Sequence, residues 1–307
     1  VIVNESHRDF FTQVTDFYNE NAELLRQVEK EWHGGTDQTP VNYLIHDKNI
    51  DFKWLPYEYN MCDMVRKEIL GEDMLFTDWG WIYQYNSIPN NKGFDFFFGY
   101  NCQRQAHTFY PTHLWKNKER QILDNEIVNK GKLPIGLDPD NEESYSRYNQ
   151  KDYAPKLIHQ EALKFIERNK DDKFFVYYAS PIPHLPLQAP IEWVNYYREK
   201  FGDEEPYTGG SGYYPNQYPK ATYAAMISYL DQQVGELVQK LKDIGKYENT
   251  LIIFSSDNGP THIKHVDIDF FNSAGPFLNL ENTVKGNLNE GGIRVPTIVS
   301  WPDVVPS

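Results

Sequence analysis

The sequence has few cysteines, a deficit of positive charge and no long apolar run. Its two cysteines, Cys62 and Cys102, cannot form a disulfide framework. The 30 Lys and Arg residues are outnumbered by 44 Asp and Glu, so the formal net charge is −14 and nucleic acid is not expected as a partner. Because no run of about 18 apolar residues occurs, no segment is expected to span a membrane.

Other features are absent as well. No secretory signal peptide, internal repeat or low-complexity tract is visible. The chain begins at Val1 and stops at Ser307 just after a strand-like run, so we expect a domain that is incomplete, or truncated, at both ends. The composition is that of a globular protein, with 40% hydrophobic and 24% charged residues, and the length suits one large domain or two modest ones.

Hydrophobic periodicity predicts the main helices and strands. Apolar residues at helical spacing predict helices over residues 8–32, 153–169 and 223–244, and short apolar runs predict strands over residues 173–179 and 251–256. This alternation predicts an α/β fold in which a mostly parallel sheet is flanked by helices.

A turn-rich stretch at residues 87–93 predicts a boundary along the chain. We expect a helical or mixed amino-terminal segment over residues 1–91 and a larger domain over residues 92–307.

Asp257 and Asn258 close the predicted strand 251–256 and are followed by Gly259. Open α/β sheets bind their ligands at the carboxyl ends of strands. A carboxylate beside an amide suits a hard cation such as calcium or magnesium. The same three residues also form ordinary turns, so the pair alone does not decide between a metal site and a turn.

Three further segments accompany this pair in a fixed order. They are residues 93–100 (GFDFFFGY), residues 180–187 (SPIPHLPL) and residues 285–296 (KGNLNEGGIRVP). With Asp257-Asn258, they resemble the sulfatase family of the alkaline-phosphatase-like superfamily over residues 92–307, arylsulfatases included. The resemblance implies a sulfatase-like α/β fold.

The resemblance also implies a chemistry. Sulfatases hydrolyse sulfate esters of sugars or aryl groups with a formylglycine nucleophile and a divalent cation, calcium or magnesium. By resemblance, Asp257 and Asn258 are metal ligands, Lys285 and His184 are catalytic, and His107, His184 and Lys285 bind the substrate. The family suggests a periplasmic, extracellular or lysosomal location.

Each of these residues also has a purely structural interpretation. Lys285 suits a solvated surface, and His184 and His107 suit hydrogen-bonded positions in a core. His262 is a weaker candidate for the same cleft. Gly291 and Gly292 are expected to permit tight backbone geometry beside Lys285.

Two of the family's motifs are missing from this sequence. No Asp-Asp pair ends an apolar amino-terminal strand, and Asp171-Asp172 precedes its strand instead. The nearest match to the Cys/Ser-x-Pro/Ala-x-Arg nucleophile motif is residues 62–66, which have Met64 in place of Pro or Ala. We therefore expect calcium or magnesium to bind weakly or not at all, and turnover to be little or none.

The amino-terminal segment carries a second resemblance. Residues 35–42, 55–57 and 80–86 resemble the carboxyl-terminal part of an A-type nucleotide-sugar glycosyltransferase, in which a metal-binding His often stands where this chain has Gln84. A diverged sulfatase amino terminus is the other interpretation of this segment.

Three functions remain open at this point. The first is a sulfatase-family domain that is inactive as this chain stands. The second is a non-catalytic binder of sulfated glycans, and the third is a glycosyltransferase fragment. No phosphate-binding loop that would support the third is visible.

Overall fold

The computed structural model describes residues 88–305 except 102, 104, 211, 278–283 and 303. The helix predicted over residues 8–32 therefore lies outside the described residues. So does the rest of the amino-terminal segment up to residue 87. The chain divides into two compact units, of which one contains residues 253–299 and the other residues 88–252 and 300–305 within the described part.

The second unit begins with a small antiparallel sheet. Its strands are β1 (Phe98–Gly99), β2 (His113–Lys116) and β3 (Glu119–Ile122), in the order β1-β2-β3. β1 and β3 both pair with β2 in antiparallel register. Leu114 is fully buried, whereas every residue of β3 is exposed, so the sheet has one covered region and one solvated edge.

Three helices form the body of this unit. They are α1 (Ala154–Arg168), α2 (Ile191–Phe201) and α3 (Pro219–Asp243). α1 and α3 confirm the helices predicted over residues 153–169 and 223–244, although α3 begins four residues earlier, at a proline that suits a first helical turn. α2 was not predicted, because Val194 is its single buried residue and its apolar spacing is correspondingly weak.

The buried face of α3 differs from the predicted apolar stripe. Ile227, one of the apolar residues whose helical spacing predicts this helix, is 42% exposed, whereas Met226 is fully buried. α3 contacts α1 through polar groups: the side chain of Gln233 donates to the Pro155 carbonyl at 3.1 Å. The buried face of this helix is therefore partly polar, which a search for apolar periodicity does not register.

The strand predicted over residues 173–179 is not confirmed among the described residues. The segment is extended and its exposure alternates, but it belongs to no sheet among the described residues. Phe174 packs edge-on against Phe165 of α1, while Phe175 and Tyr177 are 74% and 73% exposed. The prediction rested on the apolar run, which does not indicate whether a neighbouring strand pairs with it.

The strand predicted over residues 251–256 is confirmed in shorter form. It is β4 (Ile252–Phe254), which pairs with β5 (Ile298–Ser300) in a two-stranded sheet. Ile253 and Ile298 are each 62% exposed, so these two strands are largely exposed although most of their residues are apolar.

The predicted mostly parallel sheet is not confirmed. The sheets of the described residues have three and two strands, and β1, β2 and β3 pair in antiparallel orientation. The described part of the first unit also contains two four-residue helices, α4 (Ile268–Phe271) and α5 (Glu290–Ile293). Across the residues that the structure describes, no helix combines the length and apolarity needed to cross a membrane.

Candidate functional site

The Asp-Asn loop, residues 255–260, follows β4 in the first unit. Asp257 is exposed and Asn258 is half-buried. The side-chain amide of Asn258 donates to the Gly259 carbonyl at 2.9 Å, and the Ser256 hydroxyl donates to the Asn258 carbonyl at 2.9 Å. These local bonds hold the turn and leave the Asp257 carboxylate facing solvent.

A second loop, residues 284–292, packs directly against the Asp-Asn loop, and we call it the lysine loop. The backbone N–H of Lys285 donates to the Pro260 carbonyl at 2.8 Å, and the N–H of Gly259 donates to the Gly292 carbonyl at 2.8 Å. Lys285 itself is half-buried. Two backbone hydrogen bonds therefore hold Lys285 to the segment that carries Asp257 and Asn258.

Glycine is required at the contact between these loops. A Cβ atom on Gly259 would overlap the carbonyl oxygen of Gly291, and one on Gly292 would overlap the carbonyl oxygen of Asn287. Gly259, Gly291 and Gly292 are all buried. The expectation that glycines allow tight geometry beside Lys285 is thus supported by a close approach of backbone to backbone.

The residues of the Asp-Asn loop do not by themselves fit a calcium site. Calcium takes six to eight oxygen ligands, and the loop offers the carboxylate of Asp257 and the amide oxygen of Asn258. Across the described part of the chain, no group of three or more His, Cys, Asp or Glu side chains could hold a metal ion.

In the second unit, the structure brings His107 and His184 together. Their rings are stacked, with centroids 5.2 Å apart and planes 7° apart. His107 ends a short 3-10 helix (Gln105–His107), and His184 lies in the loop after the extended segment 173–179. His184 is exposed and His107 is half-buried, so the pair has an accessible side.

The hydrogen bond of His184 determines its tautomer. Nδ1 lies 2.7 Å from the Leu185 carbonyl oxygen, which can only accept, so Nδ1 carries a proton. Nε2 is then the acceptor in the neutral ring and becomes a donor when the ring is protonated. A protonated His184 would present Nε2–H to an anionic oxygen.

Gln188 holds the two histidine-bearing segments together, and sequence reasoning missed it. It is 2% exposed, and its side-chain oxygen accepts from the Phe109 N–H at 2.8 Å. Its amide donates to the Tyr148 carbonyl, and its own carbonyl accepts from the Tyr153 hydroxyl at 2.8 Å. No local pattern marks Gln188, because Phe109 lies 79 residues away along the chain.

The candidate residues predicted from the sequence lie in several separate places. Asp257, Asn258 and Lys285 lie on contacting loops of one unit, and His107 and His184 stack in the other. His262 is exposed and lies just after the Asp-Asn loop. Residues 62–66 and Gln84 lie outside the described residues.

Comparison with known proteins gives the family. The family model described as Sulfatase matches residues 52–307. The chain is 30% identical over 218 residues to the uncharacterized sulfatase YdeN of Escherichia coli K12, covering 69% of this chain and 29% of that protein. It is 30% identical over 144 residues to the N-acetylgalactosamine-6-sulfatase of Homo sapiens, covering 47% of this chain and 22% of that protein.

Among solved structures, the crystal structure of Ps i-CgsB in complex with k-i-k-neocarrahexaose is 31% identical, with a TM-score of 0.39, over 51% of this chain and 30% of that chain. The chain thus spans less than half the length of each of these proteins. The family match is consistent with the predicted alkaline-phosphatase-like α/β class. Because the matching family model covers well over half of its residues, the chain belongs to the sulfatase family.

Proposed function

We propose that this chain binds sulfate esters of sugars or aryl groups as part of a sulfatase catalytic domain, and that the 307-residue chain does not turn them over by itself. The observation that carries the proposal is the backbone hydrogen bond from Lys285 to Pro260 at 2.8 Å. It holds the lysine of one family motif against the loop that carries another.

Lys285 supplies the charge that a sulfate needs. The residue is half-buried, and its ammonium group attracts an anion such as a sulfate. In hydrolysis, the same charge would stabilise the negative charge that develops on the sulfuryl or leaving oxygens. Independently of Lys285, the family resemblance gives His184 the proposed role of a donor to a sulfate oxygen or of a proton source for a leaving oxygen.

Asp257 and Asn258 are proposed as the carboxyl-terminal half of a metal site for calcium or magnesium. Two oxygen ligands do not complete the coordination that either ion prefers. We therefore infer weak metal binding by this chain and assign the metal no part in sulfate recognition here.

The absence of turnover follows from the nucleophile motif. A sulfatase needs formylglycine in line with sulfur, and residues 62–66 have Met64 where an oxidising enzyme requires Pro or Ala. Cys62 is therefore expected to remain a thiol. The relatives' names support a sulfate ester as ligand, and a sulfated carbohydrate or an aryl sulfate remains the proposed class. By resemblance to the family, the proposed location is periplasmic, extracellular or lysosomal.

The proposal is tested by titrating the chain with inorganic sulfate and with 4-nitrophenyl sulfate. We expect saturable binding that weakens about tenfold in Lys285→Ala, the size expected when a charge-assisted hydrogen bond is lost. Lys118→Ala is the matched control, because Lys118 is exposed on the turn between β2 and β3. Equal affinities of the wild type and Lys285→Ala would reject the role of Lys285.

Turnover is tested on the same samples. Release of 4-nitrophenol should not exceed the background rate, and mass spectrometry after co-expression with a formylglycine-generating enzyme should show an unmodified Cys62. A mass loss at Cys62 that marks conversion of thiol to aldehyde, with activity abolished in Cys62→Ala, would overturn the inactive interpretation.

A further inference from the structure

Three buried polar atoms around strand β2 lack a hydrogen-bond partner among the described residues. They are Nε2 of His113 and Nε1 of Trp115, both on β2, and Oε1 of Gln105. The rings of His113 and Trp115 have centroids 6.1 Å apart, and the amide of Gln105 donates to the His113 carbonyl at 2.7 Å, so the three residues share one region. An unpaired buried polar group costs free energy, and it regains a partner when its region opens to water.

This region lies where a short helix meets the hairpin of β2 and β3. The bond from Gln105 to His113 ties the 3-10 helix Gln105–His107 to β2. On the other side of β2 lies β3, an edge strand whose four residues are all exposed. Segments with few buried contacts open at a lower free energy than the core of a protein. The hairpin is therefore suited to open locally while the helices α1 and α3 remain folded.

The charge beside His113 is positive. Trp115 pairs with Arg120 of β3, and residues directly opposite in an antiparallel pair place their side chains on the same face of the sheet. The guanidinium carbon of Arg120 lies 5.3 Å from the centroid of the Trp115 ring, so a fixed cation stands diagonally across from His113. Burial, followed by Arg120, lowers the pKa of His113.

The carboxylates around this strand pair accompany lysines instead of His113. They are Glu119, which lies opposite Lys116 in the ladder; Glu161 of α1, which is 3.5 Å from Lys116; and Asp124, which is paired with Lys151. Because side chains alternate along a strand, Lys116 and Glu119 occupy the face opposite to that of His113 and Arg120. A proton on His113 therefore adds a second positive charge beside Arg120 in a partly buried place.

We propose that the β2–β3 hairpin, residues 113–122, is an acid-sensitive strap, and that protonation of His113 opens it and releases the helix that carries His107. In the open strap His113 titrates at its usual pKa of about 6.5, whereas the closed strap takes up the proton only at lower pH. Opening therefore becomes more favourable as the pH falls below about 6.5. His107 would then lose its fixed stack on His184. The strap does not depend on which ligand the chain binds.

Hydrogen exchange of the full chain tests the strap, with each amide rate divided by its intrinsic rate at the same pH. Between about pH 7.5 and about pH 5.5, we expect the protection of the β2 and β3 amides to fall by up to about tenfold, the limit for one histidine with an open-state pKa of about 6.5. The Thr108 amide, which donates to the Gln105 carbonyl at 3.2 Å, should lose protection with them.

Three variants identify the group that titrates. His113→Gln cannot take up the proton and should show the same protection at both pH values. Arg120→Gln, at an exposed position, removes the neighbouring cation and should reduce the loss of protection. His159→Gln is the matched control, because it removes a histidine that is 3% exposed at the contact of α1 and α3 and should leave the strap as acid-sensitive as in the wild type.

Each contrary result rejects a named part of the proposal. Equal protection of β2 and β3 at both pH values in the wild type would show that the strap is not acid-sensitive. An equal loss of protection in the wild type and His113→Gln would assign the effect to another group and reject the role of His113. An equal loss in Arg120→Gln would reject the role of the cation. A loss that extends equally to the amides of α1 and α3 would be global unfolding, and local opening of the strap would be wrong.

Discussion

Single residues hold the candidate site together, and Gly259 is the clearest example at the lysine loop. A Cβ atom there would overlap the Gly291 carbonyl oxygen, so Gly259→Ala must separate the Asp-Asn loop from the lysine loop. We expect a loss of about 1–3 kcal/mol in the free energy of unfolding, the usual cost of an overpacked contact, measured by urea denaturation.

Gly235→Ala provides the control for this measurement. Gly235 lies in α3 with nothing within 4 Å of the added methyl, so alanine should stabilise the helix by up to about 1 kcal/mol. The two substitutions add the same atom and should have opposite effects. A neutral Gly259→Ala would mean that the loops separate without cost.

Gln188 has the corresponding role for the histidine pair. Gln188→Leu keeps the approximate size of the side chain but leaves the Phe109 N–H and the Tyr148 carbonyl without their partner in a buried region. Each orphaned group costs about 1–3 kcal/mol, so we expect the two together to lower the free energy of unfolding by about 2–6 kcal/mol, measured by urea denaturation. Gln121→Leu, at an exposed position of β3, should stay within about 0.5 kcal/mol of wild type.

At the scale of elements, the contact between α1 and α3 contains a histidine that responds to pH. His159 is 3% exposed, and its Nε2 lies 2.9 Å from a carboxylate oxygen of Glu236. The Tyr178 hydroxyl lies 3.3 Å from the His159 Nδ1 and 3.3 Å from the side-chain oxygen of Gln233. Burial lowers the pKa of His159, and Glu236 offsets this only in part. His159 is therefore protonated at a lower pH in the folded protein than in the unfolded chain, where its pKa is near 6.5.

The sign of the effect follows from proton linkage. Below about pH 6.5 the unfolded state binds more protons than the folded state, so the free energy of unfolding falls as the pH falls towards the lowered pKa of His159. His159→Gln should flatten this dependence between pH 6.5 and lower pH, in urea denaturation repeated across that range. Parallel curves for wild type and variant would show that other groups cause the slope. His262→Gln, at an exposed position, should leave the slope unchanged.

Elements were predictable where local spacing determines them. α1 and α3 are long enough for the helical period to be clear, and β4 follows from its apolar run. α2 was missed because it buries a single residue. Residues 173–179 were predicted as a strand from their apolar run, which says nothing about neighbouring strands. Strand pairing depends on residues far apart in sequence, and local patterns do not determine it. The mostly parallel sheet, which was predicted from local patterns, is not confirmed by the described residues.

At the scale of the whole molecule, the residues of the candidate site came from the order of motifs along the chain. Asp257, Lys285 and His184 were identified by resemblance, whereas Gln188 became visible only in three dimensions. Its contacts join segments far apart in sequence, and no spacing rule marks such a residue. Resemblance identified the groups suited to the chemistry, and the structure identified the groups that position them.

Metal binding is the remaining whole-molecule prediction, because net charge and the Asp-Asn loop both influence it. A chain with a net charge of −14 attracts calcium diffusely, and salt screens this attraction. Asp257 and Asn258 supply two of the six to eight oxygens that calcium takes. We expect isothermal titration to give dissociation constants of about millimolar or weaker, further weakened by salt, with Asp257→Ala and Asp171→Ala behaving alike. Micromolar binding that survives salt and is abolished only by Asp257→Ala would instead require further ligands from parts of the chain outside the described residues.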